Sequence, residues 1–415
     1  MRLPDYYEYC CRVKIVAGHD ALERIPALLE TLHAARPMIV TDRGVAAAGL
    51  VEVVSGALQD GVAIGAVADE VPSDSDFKVV RQLAKVYRQN DCDAIVAVGG
   101  GSVMDTAKGV NILVSEGGDD LMAFTGAGAL KKRLKPLVAV PTTAGTGSEV
   151  TLVAVIADHE KNLKIPFTSY FLLPDVAVID SRMTLTLPDF ITSQTAMDAL
   201  SHAVEGYTCL AKNPISDACA LEAIGLVAAN LLKVVKKPDD RDGRLALATA
   251  ATLAGMAFSN SMVGMVHTLG HSVGAVCGVP HGTCMAILLP YGLEYNMHKN
   301  GDDAGELLCA LAGDAVFART PRDQRARKTV ACIRGLNQAL YEATGGRHPR
   351  RLGEIAGPDG KVRVPRARLP EIARVARGDA SIFYNPEALD EDDLRMVLEA
   401  AWEGIPLDQE RIKRG

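Results

Sequence analysis

The sequence has no CxxC pair, no extended basic cluster and no apolar leader, and each absence narrows what the chain can be. The nine cysteines are odd in number and scattered, with Cys10 and Cys11 merely adjacent, so a reducing, cytoplasmic setting is expected. The first residues, MRLPDYYEYCCRVKIV, lack an apolar core of signal-peptide length, which argues against secretion. A net charge of -7, offset only by short pieces such as KKRLK (131–135), argues against nucleic acid or an anionic membrane surface as partner. One uncharged stretch, 245–266, is long enough to span a bilayer. Its content of Ala, Gly, Ser, Thr and Asn and its lack of an aromatic belt predict a buried helix or helix pair instead. HExxH is also missing, because Thr, Leu and Gly separate His267 from His271, and a zinc protease is disfavoured.

What is present is an ordinary globular composition, 48% hydrophobic and 23% charged, over 415 residues. That length predicts two or three domains and a core that needs no disulfide or structural metal. Short β-branched runs at 38–41, 62–67, 94–98, 137–140, 152–157 and 176–180 read as strands. Helix-length segments such as Asp74 to Gln89 and Ser102 to Val114 lie between several of them, and the alternation predicts an open, largely parallel α/β sheet. Past TLTLP (184–188) strand-like runs vanish and Ala/Leu-rich segments of helical period continue to the end. The expectation is an α/β domain over 1–187 and an all-helical domain over 188–415, with the boundary at Pro188.

Two glycine-rich turns follow strands. AIVAVGGGSVMDTAKG (94–109) runs from strand through Gly99, Gly100, Gly101 and Ser102 into a helix, where a side-chain-free turn lets backbone N–H groups approach a phosphate. It is not the GxGxxG fingerprint, and a tight βα turn alone needs only one glycine. LVAVPTTAGTGSEV (137–150) offers Thr142, Thr143 and further hydroxyls to a diphosphate or a nicotinamide. Two such loops on one sheet favour a dinucleotide site over either loop alone. Asp42, at the end of MIVT, is placed either to hold the ribose hydroxyls of NAD or simply to cap a helix.

Three of the nine histidines, His267, His271 and His281, fall within one stretch, VHTLGHSVGAVCGVPHG, and their spacing alone fits core packing as well as a metal site. TAMDALSHAVEGY (195–207) puts Asp198 and His202 at i,i+4 on one helical face, with Glu205 three residues beyond His202. Joined with His267 and His281 they make a donor set of one carboxylate and three imidazoles without a thiolate. Such a set suits Fe(II), Zn(II) or a similar ion with positions left open for a substrate oxygen.

Together GGGSVMDTAK, PTTAGTGSE, MDALSHAVEGY, HTLGHSVG, PHG and the tail YNPEALDEDDLRMVLEAAWEG resemble the iron-containing alcohol dehydrogenase family, in family order and over nearly the whole chain. The resemblance implies a Rossmann-like N-terminal domain and a helical C-terminal domain, the architecture shared with dehydroquinate synthase, with NAD(P) and the metal held in a cleft. It implies Asp198, His202, His267 and His281 as metal ligands and His271 as a non-ligand near the nicotinamide with a proton-relay role. It assigns the dinucleotide to Asp42, Gly99, Gly100, Gly101, Ser102, Thr142, Thr143 and Lys164, with Lys161 as the other candidate lysine. It also implies Fe(II), with Zn(II) as the other fit, a small alcohol or aldehyde as substrate, and a homodimer or larger assembly, while the Asp42 carboxylate, which would repel a 2′-phosphate, favours NAD over NADP. Thr268 and Ser272 depart from common family choices and bear on substrate fit. The alternatives are a metal- and NAD-dependent lyase of the dehydroquinate synthase kind, for which the motifs lack gathered basic residues, and a metal-dependent hydrolase, which needs no dinucleotide.

Overall fold

The computed structural model describes residues 4–59, 61–126, 128–158, 163–357 and 359–412. By its internal contacts the chain forms two compact units, Cys10–Leu187 and Pro188–Gly415, the second joined by the N-terminal segment up to Tyr9. The described residues before Cys10 therefore group with the helical unit rather than with the α/β domain expected over 1–187; there the Tyr9 hydroxyl meets Cys219 Sγ at 3.7 Å.

The α/β unit is built on a six-stranded sheet of β1 (Lys14–Gly18), β2 (Pro37–Val40), β3 (Ala66–Ala68), β4 (Ala94–Gly99), β5 (Leu137–Pro141) and β8 (Val176–Asp180). Its spatial order is β1-β8-β5-β4-β2-β3 and every pairing is parallel. Helices α1 (Ile25–Thr31), α2 (Arg43–Ala47), α3 (Leu50–Leu58), α4 (Phe77–Gln89) and α5 (Gly101–Glu116) complete it. Both faces are covered, which is why the central strands read as unbroken apolar runs rather than alternating ones. Ile95 and Ala97 enter one core with Val80 and Leu83 of α4 and Val103 and Ala107 of α5. Ala94, Val96 and Val98 point to the other core, with Leu28 and Leu29 of α1 and Val54 of α3. Each fully buried aliphatic side chain of this kind contributes roughly 1.5–3 kcal/mol.

Three departures from the sequence reading have local causes. β1 was not flagged because it is an edge strand with largely exposed residues and so a weak apolar signal. The run 62–67 is regular strand only from Ala66: Val62 N–H bonds Leu58 O at the end of α3, and 62–65 have no regular structure although Gly65 N–H already reaches Pro37 O of β2 at 2.9 Å. The run 152–157 is a strand, as expected, but not of the parallel sheet: β6 (Val153–Asp158) pairs antiparallel with β7 (Leu163–Thr168) in a separate two-stranded sheet. β7 carries Lys164 and Pro166 and exposes most of its residues, so periodicity gives it no signature.

The helical unit contains α6 (Asp189–Thr208), α7 (Pro214–Lys236), α8 (Arg241–Ser261), α9 (Met265–Cys277), α10 (His281–Ala312), α11 (Asp314–Arg319), α12 (Arg322–Ala343), α13 (Leu369–Ala376) and α14 (Glu391–Glu403). On α7 Ala220, Ala223, Ile224, Val227, Leu231 and Val234 are buried, a helical stripe that packs against α6 and α8. The uncharged stretch 245–266 divides between α8 and α9, which meet at a 105° bend. Gly264 stands at the start of α9 and offers no side-chain cap.

Candidate dinucleotide and metal sites

In the sheet order, β2 is followed by β3 on one side while β4 is followed by β5 on the other, so the connections reverse between β2 and β4. Open α/β sheets bind ligands outside the carboxyl ends of strands at such a reversal. Asp42 follows β2, Gly99 to Ser102 follow β4, and Thr142 and Thr143 follow β5, on three adjacent strands. α5 begins in the glycine turn, so its first N–H groups have no intrahelical acceptor and face outward with the positive end of the helix dipole.

The two glycine-rich loops lie against each other. Thr142 N–H bonds Gly99 O at 3.0 Å, and a Cβ on Gly101 would stand 2.9 Å from Thr146 Cγ2, so the close approach excludes larger residues there. The Ser102 hydroxyl donates to Ser73 O. Asp42 does cap a helix: its Oδ1 accepts from Val45 N–H of α2 at 2.9 Å. A carboxylate has capacity for further acceptor bonds, so the cap and a ribose contact are compatible. Lys164, on β7, pairs with Asp74 at 2.9 Å, next to the Ser73 that receives Ser102. Lys161 lies outside the described residues.

Sequence reasoning gave no role to Asp105 and Lys108, although both stand in the quoted motif. Lys108 is buried, and burial pulls its pKa down to about 8; its Nζ donates to Ser148 Oγ at 3.1 Å, Thr151 O at 2.9 Å and Val153 O at 2.8 Å. Asp105 takes Ser148 Oγ and Val155 N–H, each at 2.9 Å. The lysine and aspartate of α5 thus hold the second loop in place.

In the helical unit Asp198 and His202 project from one face of α6, His267 and His271 from α9, and His281 from the first residue of α10. One ligand atom from each of Asp198, His202, His267 and His281 lies within 4.8 Å of the others. Gly282 makes this convergence possible, because a Cβ there would lie 2.5 Å from Gln194 O of α6, one turn before Asp198. His281 Nε2 reaches Asp198 Oδ1 at 3.1 Å, and His202 stacks on Phe258 with ring centroids 4.1 Å apart.

His202 Nδ1 and His267 Nε2 are buried and have no hydrogen-bond partner, and the buried Asp198 Oδ1 faces His281 Nε2. A buried polar atom left unpaired costs about 1–3 kcal/mol, and two of them beside a buried carboxylate oxygen fit a cation that all can ligate. Protonation states agree. Burial draws the His202 imidazole down to about 3 and the His267 imidazole well below its ordinary value, so both keep a lone pair. Burial alone raises the Asp198 carboxyl, but the imidazoles of His202 and His281 outweigh it and hold it ionised.

Two carboxylates behind the imidazoles were not found from sequence. Glu205, noted only for its spacing from His202, turns instead to His267: its carboxylate contacts Nδ1 and accepts N–H bonds from Gly264 at 3.1 Å, Val266 at 2.8 Å and His267 at 3.2 Å. Burial raises its pKa to about 7. Fixing Nδ1 aims His267 Nε2 at the cluster, as carboxylates behind metal-bound histidines do. His271 is half exposed and outside the four-residue group; its Nδ1 is 2.8 Å from Asp379 Oδ2, and its ring stacks on His281 at 5.3 Å. Asp379 lies 108 residues away in sequence, so no spacing signal pointed to it.

The chain matches known proteins over most of its length. Residues 13–181 match the family model described as iron-containing alcohol dehydrogenase, and residues 192–402 match that of the C-terminal part of the Fe-containing alcohol dehydrogenase family. The chain is 34% identical over 387 residues to a 1,3-propanediol dehydrogenase of Klebsiella pneumoniae, covering 93% of this chain and 96% of that one. Alcohol dehydrogenase 4 of Saccharomyces cerevisiae (strain ATCC 204508 / S288c) is 33% identical with the same coverage. Among solved structures, a 1,3-propanediol oxidoreductase superposes with a TM-score of 0.89 at 31% identity, over 96% of this chain and 100% of that one. An alcohol dehydrogenase from Oenococcus oeni gives 0.88 at 30% identity, over the same shares.

Proposed function

Because the chain belongs to the iron-containing alcohol dehydrogenase family, and so to the enzymes of NAD(P)-linked alcohol/aldehyde oxidoreduction, we propose that it uses Fe(II) and NAD to interconvert a small primary alcohol and its aldehyde. The observation that carries this reading is the set Asp198, His202, His267 and His281, in which His202 Nδ1 and His267 Nε2 are buried without a hydrogen-bond partner and a common cation would satisfy both. A carboxylate with three neutral imidazoles suits Fe(II), and Zn(II) is the competing ion. Asp42 after β2 favours NAD, since a carboxylate there repels the 2′-phosphate of NADP. Relatives named for 1,3-propanediol, methanol and butanol support a small primary alcohol.

When bound, the metal supplies Lewis acidity and the dinucleotide supplies the hydride acceptor or donor. The chain's own residues do the rest. Asp198, His202, His267 and His281 hold the metal, and Glu205 keeps His267 in the tautomer that presents Nε2. Gly99, Gly100, Gly101 and Ser102 carry the diphosphate on backbone N–H groups at the start of α5, while Thr142, Thr143 and Lys164 supply further donors. His271, oriented through Nδ1 by Asp379, takes or returns the proton of the alcohol at Nε2 and passes it to solvent through its exposed edge. The nine scattered cysteines without a CxxC pair favour a cytoplasmic protein, and a homodimer or larger assembly follows the family pattern.

The test is to load the purified protein anaerobically with Fe(II) or Zn(II), add NAD and a series of primary alcohols, and follow NADH absorbance. Fe(II)-dependent NADH formation is expected. Bound metal and bound NAD with no NADH from any alcohol would sink the assignment.

A further inference from the structure

Helix α9 carries both His267 and His271, yet its N-cap is Gly264, which has no side chain to satisfy the first N–H groups. Those groups are met from two other places. Glu205 of α6 takes Gly264, Val266 and His267, and Asn385 takes the remaining one: Met265 N–H reaches Asn385 Oδ1 at 3.2 Å. Asn385 is buried, six residues after Asp379. Its Oδ1 also accepts from Asn296 Nδ2 at 2.9 Å, and its Nδ2 donates to Asn296 Oδ1 at 2.8 Å and to Glu387 O at 2.8 Å. Asn296 is equally buried, lies on α10, the helix that begins with His281, and donates also to Gly292 O at 3.0 Å. The Met265 N–H and the Glu387 carbonyl leave only one orientation for the Asn385 amide, since each demands the opposite end of it.

We propose that the Asn385–Asn296 amide pair is a crosspiece that fixes α9, α10 and the Asp379 segment relative to one another, making Asn385 a positioning residue for the metal ligands and for His271. It touches no ligand. It acts because a fully bonded buried amide pair has one geometry, and deleting either partner strands the other. Glu205, Asn296 and Asn385 also line one small cavity of about 10 Å³, so truncating Asn385 opens space directly behind the carboxylate that orients His267.

The proposal rests on the metal reading above, and Co(II) binding by the full-length protein separates the two. The visible d–d bands of bound Co(II) report ligand geometry independently of turnover. Wild-type protein should bind Co(II) with such bands; if it does not, the metal reading fails and this proposal with it. Given wild-type binding, Asn385→Ala and Asn296→Ala should each weaken Co(II) binding about tenfold or more and alter the bands, the range seen when outer partners of metal ligands are removed. The double variant should be little worse than either single one, as expected for one shared interaction. Asn385→Asp keeps the oxygen for Met265 N–H and serves if the alanine variant does not fold; it should still alter the bands. Folded variants with lower melting temperatures but wild-type Co(II) affinity and bands would overturn the proposal, as would strictly additive losses.

Discussion

In the α/β unit Asp42, Ser102 and Lys164 each have a protein partner already, in Val45, Ser73 and Asp74. In the helical unit His202 and His267 each keep a buried nitrogen without a hydrogen-bond partner. Under the proposed function, the difference follows from what the two sites would hold. A dinucleotide is large and is carried mainly by backbone N–H groups and shape, so its polar side chains can keep local bonds until it arrives. A metal needs several lone pairs aimed at one point, and groups aimed so cannot all bond each other. The cost of those unpaired atoms is offset only when the cation binds.

The largest expected effect breaks that contrast at its centre. Asp198→Ala removes the only anionic donor from the four, so metal content measured by elemental analysis should fall close to zero and turnover by more than about a thousandfold, with dinucleotide binding retained. His271→Ala should keep the metal and lose roughly a hundredfold in turnover, the scale of general acid–base catalysis; loss of metal would make His271 a ligand and refute the assignment.

A control lies within the helical unit. His348 is as buried as the ligand histidines, but both ring nitrogens have partners, Ser193 Oγ at 3.0 Å and Asn337 Oδ1 at 3.1 Å. Burial lowers its pKa from 6.5 to about 4. The unfolded chain therefore binds the proton more readily. Stability from this group is complete above the unfolded value, falls as pH drops below 6.5, and is lost once pH passes below about 4. The full difference is about 3 kcal/mol. Denaturant unfolding of metal-free protein across this window should show that slope added to those of His202 and His267, whose pKa values burial also lowers, and His348→Gln should reduce it; an unchanged slope refutes the assignment.

Smaller effects sharpen the other side. Gly101→Val forces the two loops apart at Thr146 and should raise the Kd for NAD about tenfold by calorimetric titration while leaving metal content unchanged. Lys164→Ala should change NAD affinity only a few-fold and the melting temperature hardly at all, because its pair with Asp74 is exposed on both sides. A large drop in melting temperature would show that the hairpin depends on that pair.

The central strands were legible because 94–98, 137–140 and 176–180 are buried on both faces and read as apolar runs. β1 and β7 were not, since an edge strand and an exposed hairpin arm bury too little to leave a pattern. Asp198 and His202 were readable as a pair because i,i+4 spacing on a helix is a geometric statement in itself. Glu205 illustrates the limit. Its nearest helical neighbour in sequence is His202, yet its carboxylate serves His267, 62 residues onward, because the start of α9 brings three unbonded N–H groups to it. The pairing of His271 with Asp379 and of Asn296 with Asn385 was equally hidden.

The sequence by itself determined the order of the two architectures, the glycine turns after β4 and β5 and the donor types available for a metal, since periodicity and local chemistry are carried by neighbouring residues. The motif resemblance already pointed to the four donors and set His271 apart from them; only the tertiary structure decided how those donors meet and which buried carboxylates and amides aim them. Those choices depend on helix packing, where a close approach such as that of Gly282 to Gln194 sets distances between residues far apart in the chain.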